Sequence, residues 1–329
     1  MILWTQASRR STPPRCLGNR CLPRAVGDAP PRHLQHSFRI STVKNLYVAI
    51  GIDCDPDRAT YPRQLTWRGV EQLPRLLETE PDIKWTLNVR ADTQIRDRCG
   101  TAAYCYERFR HLWDRARKQG CTVAWHLHYY DGSGHQDTSD ANVLENIEIG
   151  SEALERPDVV HMGWTFQNDF SIRHLYDVGV RVDYSPVPRM AFSGKGGVHA
   201  FDWSQFAYRP RLWNGVRMIP AYTFPHWLLS RRFGTERVML TTTTSPLLYR
   251  SLLKDFFRSG ADFFVTYFHA DELVQGAGGW RDRLYRFSHL LTNLRMLRES
   301  AHRQGYNISF VNIRDLSNIL FDEHHSSNT

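Results

Sequence analysis

Two short stretches of the chain carry side chains that seldom sit together without a chemical reason. Residues 53–57 read Asp53-Cys54-Asp55-Pro56-Asp57, and residues 126–128 read His126-Leu127-His128. A third candidate, His269, closes an apolar run and is followed by Asp271 and Glu272. Aspartate and neutral imidazole are ligands for a divalent cation, and zinc suits a mixed set of them with an open position for hydrolytic chemistry. Taken alone, each is more readily read as a strand-end polar residue that finds an ordinary hydrogen-bond partner. The chemical reading needs elements that bring Asp53, Asp55, His126, His128 and His269 to one place. Two carboxylates brought together repel, and a cation would relieve that.

The sequence supplies such elements. Apolar runs of strand length occur at 46–52, 85–89, 121–127, 159–162, 180–184, 216–219, 263–268 and 308–313. Between them, 67–78, 104–118, 143–154, 170–178, 246–257 and 284–303 repeat apolar residues at helical spacing. Strand alternating with helix predicts an α/β fold with a parallel sheet. The number of units predicts a parallel (β/α) barrel of seven or eight strands, distortion allowed. An open doubly wound sheet is the alternative, and no glycine-rich nucleotide fingerprint supports a nucleotide-binding form of it. Strand side chains alternate between faces. Asp53 and Asp55 therefore share a face with Ala49 and Gly51, whereas Val48, Ile50, Ile52 and Cys54 share the other. His126 and His128 likewise share a face. In a parallel barrel the C-terminal strand ends form one mouth, where all five would meet. The segment 186–244 has weaker signals and many aromatics, among them Trp203, Phe206, Tyr208, Trp213, Tyr222, Phe224 and Trp227. They suit either sugar stacking at the mouth or packing onto the barrel.

Charge narrows the partners. The net charge is +8, but residues 1–42 hold seven arginines against the single acid Asp28, which accounts for +6 of it. The rest is near neutral, so no nucleic-acid face is expected on the folded part. Residues 1–42 read as a disordered basic extension, 43–320 as the barrel, and 321–329 as a flexible tail. No run is long and apolar enough for a membrane span. The six cysteines match no zinc-finger spacing and read as reduced thiols, which implies a cytoplasmic protein. The oligomeric state is left open.

Taken in order, the motifs resemble those of the polysaccharide deacetylases, the chitin- and nodulation-deacetylase homology family. Ile52-Asp53-Cys54-Asp55-Pro56 is similar to the divergent FDxD form of the first motif, and Trp125-His126-Leu127-His128 to a GWHLH form of the second. Gly163-Trp164 through Asp183-Tyr184-Ser185-Pro186 resembles the third block, and Tyr267-Phe268-His269-Ala270-Asp271-Glu272-Leu273 the closing one. The resemblance spans 45–316. It implies that Asp53 is the general base, that Asp55, His126 and His128 hold a divalent metal ion, and that His269 is the general acid. The implied reaction removes an N-acetyl or similar acyl group from an amino sugar or polysaccharide. Three departures stand out. The family spaces its histidines His-x-x-x-His, which places Tyr130 at the second ligand position, and Tyr130 or His135 is the alternative to His128. The Arg that pairs with the base is missing, with His161 as its replacement. Cys54 between the acids leaves open which Asp is base and which ligand. A non-catalytic carbohydrate-binding barrel and a protein acting through its basic arm are the other readings.

Overall fold

The computed structural model describes residues 43–57, 65–131, 135–155, 157–192, 201–233, 235–274 and 285–326. These belong to one unit, Val43–Thr329. The extension expected at 1–42, with Cys16 and Cys21, lies outside the described residues.

Chain order runs β1 (Lys44–Cys54), α1 (Leu73–Thr79), β2 (Thr86–Arg90), α2 (Thr93–Cys99), α3 (Tyr104–Arg108), α4 (Arg110–Lys118), β3 (Thr122–Leu127), α5 (Asp140–Ala153), β4 (Val159–Met162), α6 (Asp169–Asp177) and β5 (Val182–Asp183). It continues through β6 (Ala191–Phe192), β7 (Phe201–Asp202), β8 (Arg211–Trp213), β9 (Val216–Met218), α7 (Trp227–Phe233), α8 (Pro246–Ser259), β10 (Phe263–His269), α9 (Phe287–Arg303), β11 (Tyr306–Phe310) and α10 (Ile313–Ser326). All eight apolar runs are strands, with ends within three residues of expectation.

Nine strands form one sheet in the order β10-β1-β2-β3-β4-β5-β9-β8, with β11 on β1 beside that path. Every pairing in it is parallel except the β8–β9 hairpin. That hairpin turns at Asn214 and Gly215, both at positive φ (46° and 83°), the geometry that matches strand twist in a two-residue turn. The long β1 gives one edge to β10 and divides the other. Its residues 44–48 pair with β11 and 51–54 with β2. Beyond β9 the sheet curls back, and Tyr222 donates its N–H to the Val265 carbonyl of β10 at 2.8 Å. The result is a distorted parallel (β/α) barrel whose β9–β10 seam lacks a regular ladder among the described residues.

The outward face of β1 (Leu46, Val48, Ile50, Ile52, Cys54) is buried under helices. α5 approaches β3 closely because Gly150 lies against the Trp125 indole, where a Cβ would stand 2.3 Å from the ring. The helix expected at 104–118 is two helices. Phe109 leaves helical geometry (φ −111°, ψ 23°) and packs its ring at 6.2 Å from both Trp67 and Trp113. Burial of three large rings outweighs the few backbone bonds lost at the break. α2 was not foreseen in the periodicity; it is short and set by caps, Asp92 accepting from Ile95 N–H and Gly100 ending it at φ 85°. α10 continues to Ser326, so regular helix extends through the boundary drawn at 320. In 186–244, Trp203, Phe206, Tyr222 and Phe224 are core residues, so these rings serve packing. No helix among the described residues is long and apolar enough to cross a membrane.

Candidate metal centre

Strand register assembles the candidates. Asp53 on β1 stands opposite His269 on β10 and opposite Asn88 on β2. One inward-facing position nearer the C-terminal ends, Arg90 on β2 faces His126 on β3, which faces His161 on β4. Parallel pairing puts these strand ends on one rim, and the period-2 alternation turns each of them inward.

Three groups converge on one point. His126 Nε2 and His128 Nε2 are 3.0 Å apart. Asp55 lies 3.4 Å from the first through Oδ2 and 3.7 Å from the second through Oδ1. Ligand atoms ~2.1 Å from a tetrahedral cation stand about 3.4 Å from one another, so these separations fit a zinc-sized ion. Two imidazole nitrogens aimed at each other need a shared proton or a shared cation between them. The buried His128 Nδ1 makes no hydrogen bond. His126 Nδ1 is 2.9 Å from the His161 carbonyl, which fixes the tautomer with Nδ1–H donating and leaves Nε2 as a lone-pair donor. A second cation-capable cluster, Asp53, His126 and His161, would need His126 Nδ1, which that bond occupies. The set Asp55, His126 and His128 is therefore the better fit.

The electrostatics set the protonation states of the metal-free site, in which an ion would have to displace a proton from His126. Burial alone would raise the Asp55 carboxyl, but His126 and Arg90 outweigh it and hold it well below the usual carboxylate range. Burial disfavours the His126 imidazolium, yet Asp53 and Asp55 prevail and push its pKa up to about 9. Burial and Arg90 lower His128 to about 4, which leaves it neutral and ready to ligate.

Asp53 sits deeper, 1% exposed. Its Oδ1 accepts from Asn88 Nδ2 at 2.7 Å and lies 3.1 Å from His161 Nδ1. The Asn88 amide is held in turn by the Tyr184 hydroxyl, which donates to Oδ1 at 2.5 Å. Gly51 admits that hydroxyl, because a Cβ there would meet it at 2.4 Å. Burial raises the Asp53 carboxyl, and the imidazoles of His161 and His126 more than reverse this, so it too stays ionised. His269, a quarter exposed, turns Nε2 toward both carboxylates, 3.9 Å from Asp53 Oδ2 and 3.9 Å from Asp55 Oδ2. Its Nδ1 is 3.6 Å from Glu272, which also accepts from the Thr243 hydroxyl.

The structure thus gathers all five sequence-derived residues. Of the alternatives to His128, Tyr130 stacks on the His128 ring (5.1 Å, 13°), and His135 is exposed and outside the cation-capable clusters of His, Cys, Asp and Glu among the described residues. His161 does stand beside Asp53, between Tyr184 and Tyr267. Sequence reasoning passed over Arg90, which pairs with Asp92 at 2.7 Å, Gln94 at 2.5 Å and Asp55 at 3.3 Å. Its signal was available. A buried-strand pattern ending in Asn88-Val89-Arg90 puts Asn88 and Arg90 on one face, as it does the aspartates.

No family description matches the chain, and no curated protein does. Solved structures do resemble it in the course of the chain. A Mycobacterium smegmatis protein described as a polysaccharide deacetylase shares 15% identity over 86% of this chain and 93% of its own, with a TM-score of 0.49. A family 4 carbohydrate esterase from Streptomyces lividans shares 12% over 80% and 91%, with a TM-score of 0.39. A 4-alpha-glucanotransferase from Thermococcus litoralis shares 11% over 82% and 37%, with a TM-score of 0.45. The similar structures thus include polysaccharide deacetylases and esterases at low identity, beside an enzyme of another activity, and the reaction has to be argued from the site.

Proposed function

We propose that this protein is a metal-dependent hydrolase that removes an N-acetyl or similar acyl group from an amino sugar or polysaccharide. The observation that carries this reading is the 3.0–3.7 Å triangle of His126 Nε2, His128 Nε2 and the Asp55 carboxylate beside the buried Asp53. Asp55, His126 and His128 would hold the divalent ion, for which zinc is the best fit. When bound there, such an ion lowers the pKa of the attacking water and polarises the acyl carbonyl. Asp53 is ionised and fixed by Asn88, so it is in the correct state to take a proton. A carboxylate held this low is a weak base, which is why its water must already be acidified. His269, on the paired strand β10, would give a proton to the leaving amine. Burial of the remaining groups keeps bulk water from competing for these protons.

The test is metal content and turnover together. Purified wild type is expected to carry a divalent ion at micromolar levels, and Asp55→Ala and His126→Ala to lose it. Asp53→Asn should keep the ion and lose about 10²- to 10⁴-fold in deacetylation of N-acetylglucosamine oligomers. A wild type that binds no divalent ion ends this reading. One observation favours a second reading, a carbohydrate-binding barrel without catalysis: the Arg90 guanidinium already balances Asp55 at 3.3 Å. Metal-free wild type that binds but never cleaves the oligomer would select it.

A further inference from the structure

Arg90 sets a full positive charge against a centre suited to a cation. It ends β2 and is buried. A guanidinium persists in such a place only where its donors find acceptors and its charge finds a partner. Its three bonds here are unequal. Nε donates to Asp92 at 2.7 Å and one terminal nitrogen to the Gln94 side-chain oxygen at 2.5 Å, whereas the other reaches Asp55 Oδ1 only at 3.3 Å. Charge-assisted bonds of this kind are usually about 2.7–2.9 Å long. The tight partners are themselves fixed in the first turn of α2, where Asp92 caps the helix by accepting from the Ile95 N–H. The Tyr130 ring packs on the guanidinium, with its centroid 5.4 Å away. Arg90 is therefore anchored on α2 and only leans on Asp55. The oxygen it leans on is the one that faces His128 Nε2 at 3.7 Å.

We propose that Arg90 is a built-in counter-cation, which balances Asp55 while the centre is empty and competes with a divalent ion for that carboxylate. The affinity for metal is thereby held below what Asp55, His126 and His128 alone would give. The inference rests on the metal-centre reading, and it concerns the ligand Asp55 rather than the base Asp53. Two buried carboxylates without a counter-charge would make the empty centre costly to keep assembled. A fixed guanidinium removes that cost. It also repels an entering dication, and strongly, because little water lies between the two charges. A residue whose task was to orient Asp55 would make its tightest bond there, and the bond to Asp55 is the slackest of the three.

Zinc affinity of the full chain, read by chelator competition at one pH, tests this without reference to turnover. Gln94→Glu is the gentlest variant. It keeps the acceptor that Arg90 uses, and the Gln94 Nε2 it replaces makes no hydrogen bond among the described residues. The added carboxylate draws on the charge of Arg90, so zinc should bind about tenfold tighter or more. The double variant Arg90→Gln with Asp92→Asn removes the guanidinium together with its buried partner and retains the cap oxygen; it should tighten zinc at least as far. Arg90→Lys keeps the charge without the fork, and its affinity should stay within about threefold of wild type. Gln94→Glu carries the test alone should the double variant not fold. Unchanged or weaker affinity in Gln94→Glu, beside a wild type that binds zinc, overturns the counter-cation and leaves the metal centre standing. Tightening in Arg90→Lys as large as in the double variant also overturns it, since charge would then not be what Asp55 needs. A wild type that binds no zinc ends the metal centre and this inference with it.

Discussion

His128 shows how a proposed ligand that departs from the familiar spacing could still reach an ion shared with His126. Two residues along a strand repeat a side chain on the same face about 6.5 Å further on, too far for one small ion if both rings stood straight. Here the His128 ring folds back until its Nε2 is 3.0 Å from that of His126, the two rings nearly perpendicular at 89°. Gly163 makes the space, since any side chain there would enter the His128 ring. Gly163→Ala should therefore displace His128 and reduce metal affinity by at least roughly tenfold, the factor that follows from spoiling one ligand's support. Competition with a chromophoric chelator reads this directly; unchanged affinity would remove His128 from the ligand set. The sequence showed which histidines share a face. It did not show that a glycine 35 residues away decides whether both can be used.

Among elements, the contact of α5 with β3 sets the height of the histidine strand. Gly150 rests on the Trp125 indole, whose N–H donates to the Ala91 carbonyl at 2.9 Å. A Cβ at 150 would also lie 2.7 Å from that carbonyl oxygen. Gly150→Ala gains about 1 kcal/mol of helix propensity but must push α5 off the strand, and overpacking of this kind costs about 1–3 kcal/mol. We expect net destabilisation, seen as a lower midpoint in urea unfolding; a raised midpoint would show that α5 can slide. The strands themselves were legible because their alternation is driven by burial on one face. The break at Phe109 and the capped helix α2 were not, because each depends on partners distant in sequence or on a single cap rather than on periodicity.

For the whole molecule, the proposed centre would couple stability to metal and to pH. His126 rises from an ordinary 6.5 to about 9 in the metal-free fold, with Asp53 and Asp55 raising it, burial and Arg90 opposing, and His128 and His161 packed alongside. Its imidazolium therefore contributes stability that is fully present below about pH 6.5 and is lost as pH climbs through 9. Metal binding runs the other way, because the ion must displace that proton. Apparent affinity should rise about tenfold per pH unit from 7 toward 9. A cation at ~100 times its dissociation constant adds about 2.7 kcal/mol, a Tm increase of roughly 5 °C or more. Thermal scans with and without chelator at pH 7, 8 and 9 should show the gap widening with pH, and a constant gap would exclude His126 as a ligand.

The sequence by itself determined which residues face the barrel interior. Alternation has a period of two, and the apolar face of each strand left only one side for Asp53, Asp55, His126 and His128. It also set the direction of most strands, since every apolar run except 180–184 and 308–313 is followed by a helical segment that returns the chain. What only tertiary structure decided is which strand stands beside which, and in what register. That pairing set Arg90 and His161 on either side of His126, and gave the His126 Nδ1 proton to a carbonyl of the next strand. With that proton placed, Asp55 rather than Asp53 would share a cation with both histidines in the proposed centre. No local pattern encodes this, because every bond involved joins residues from different strands.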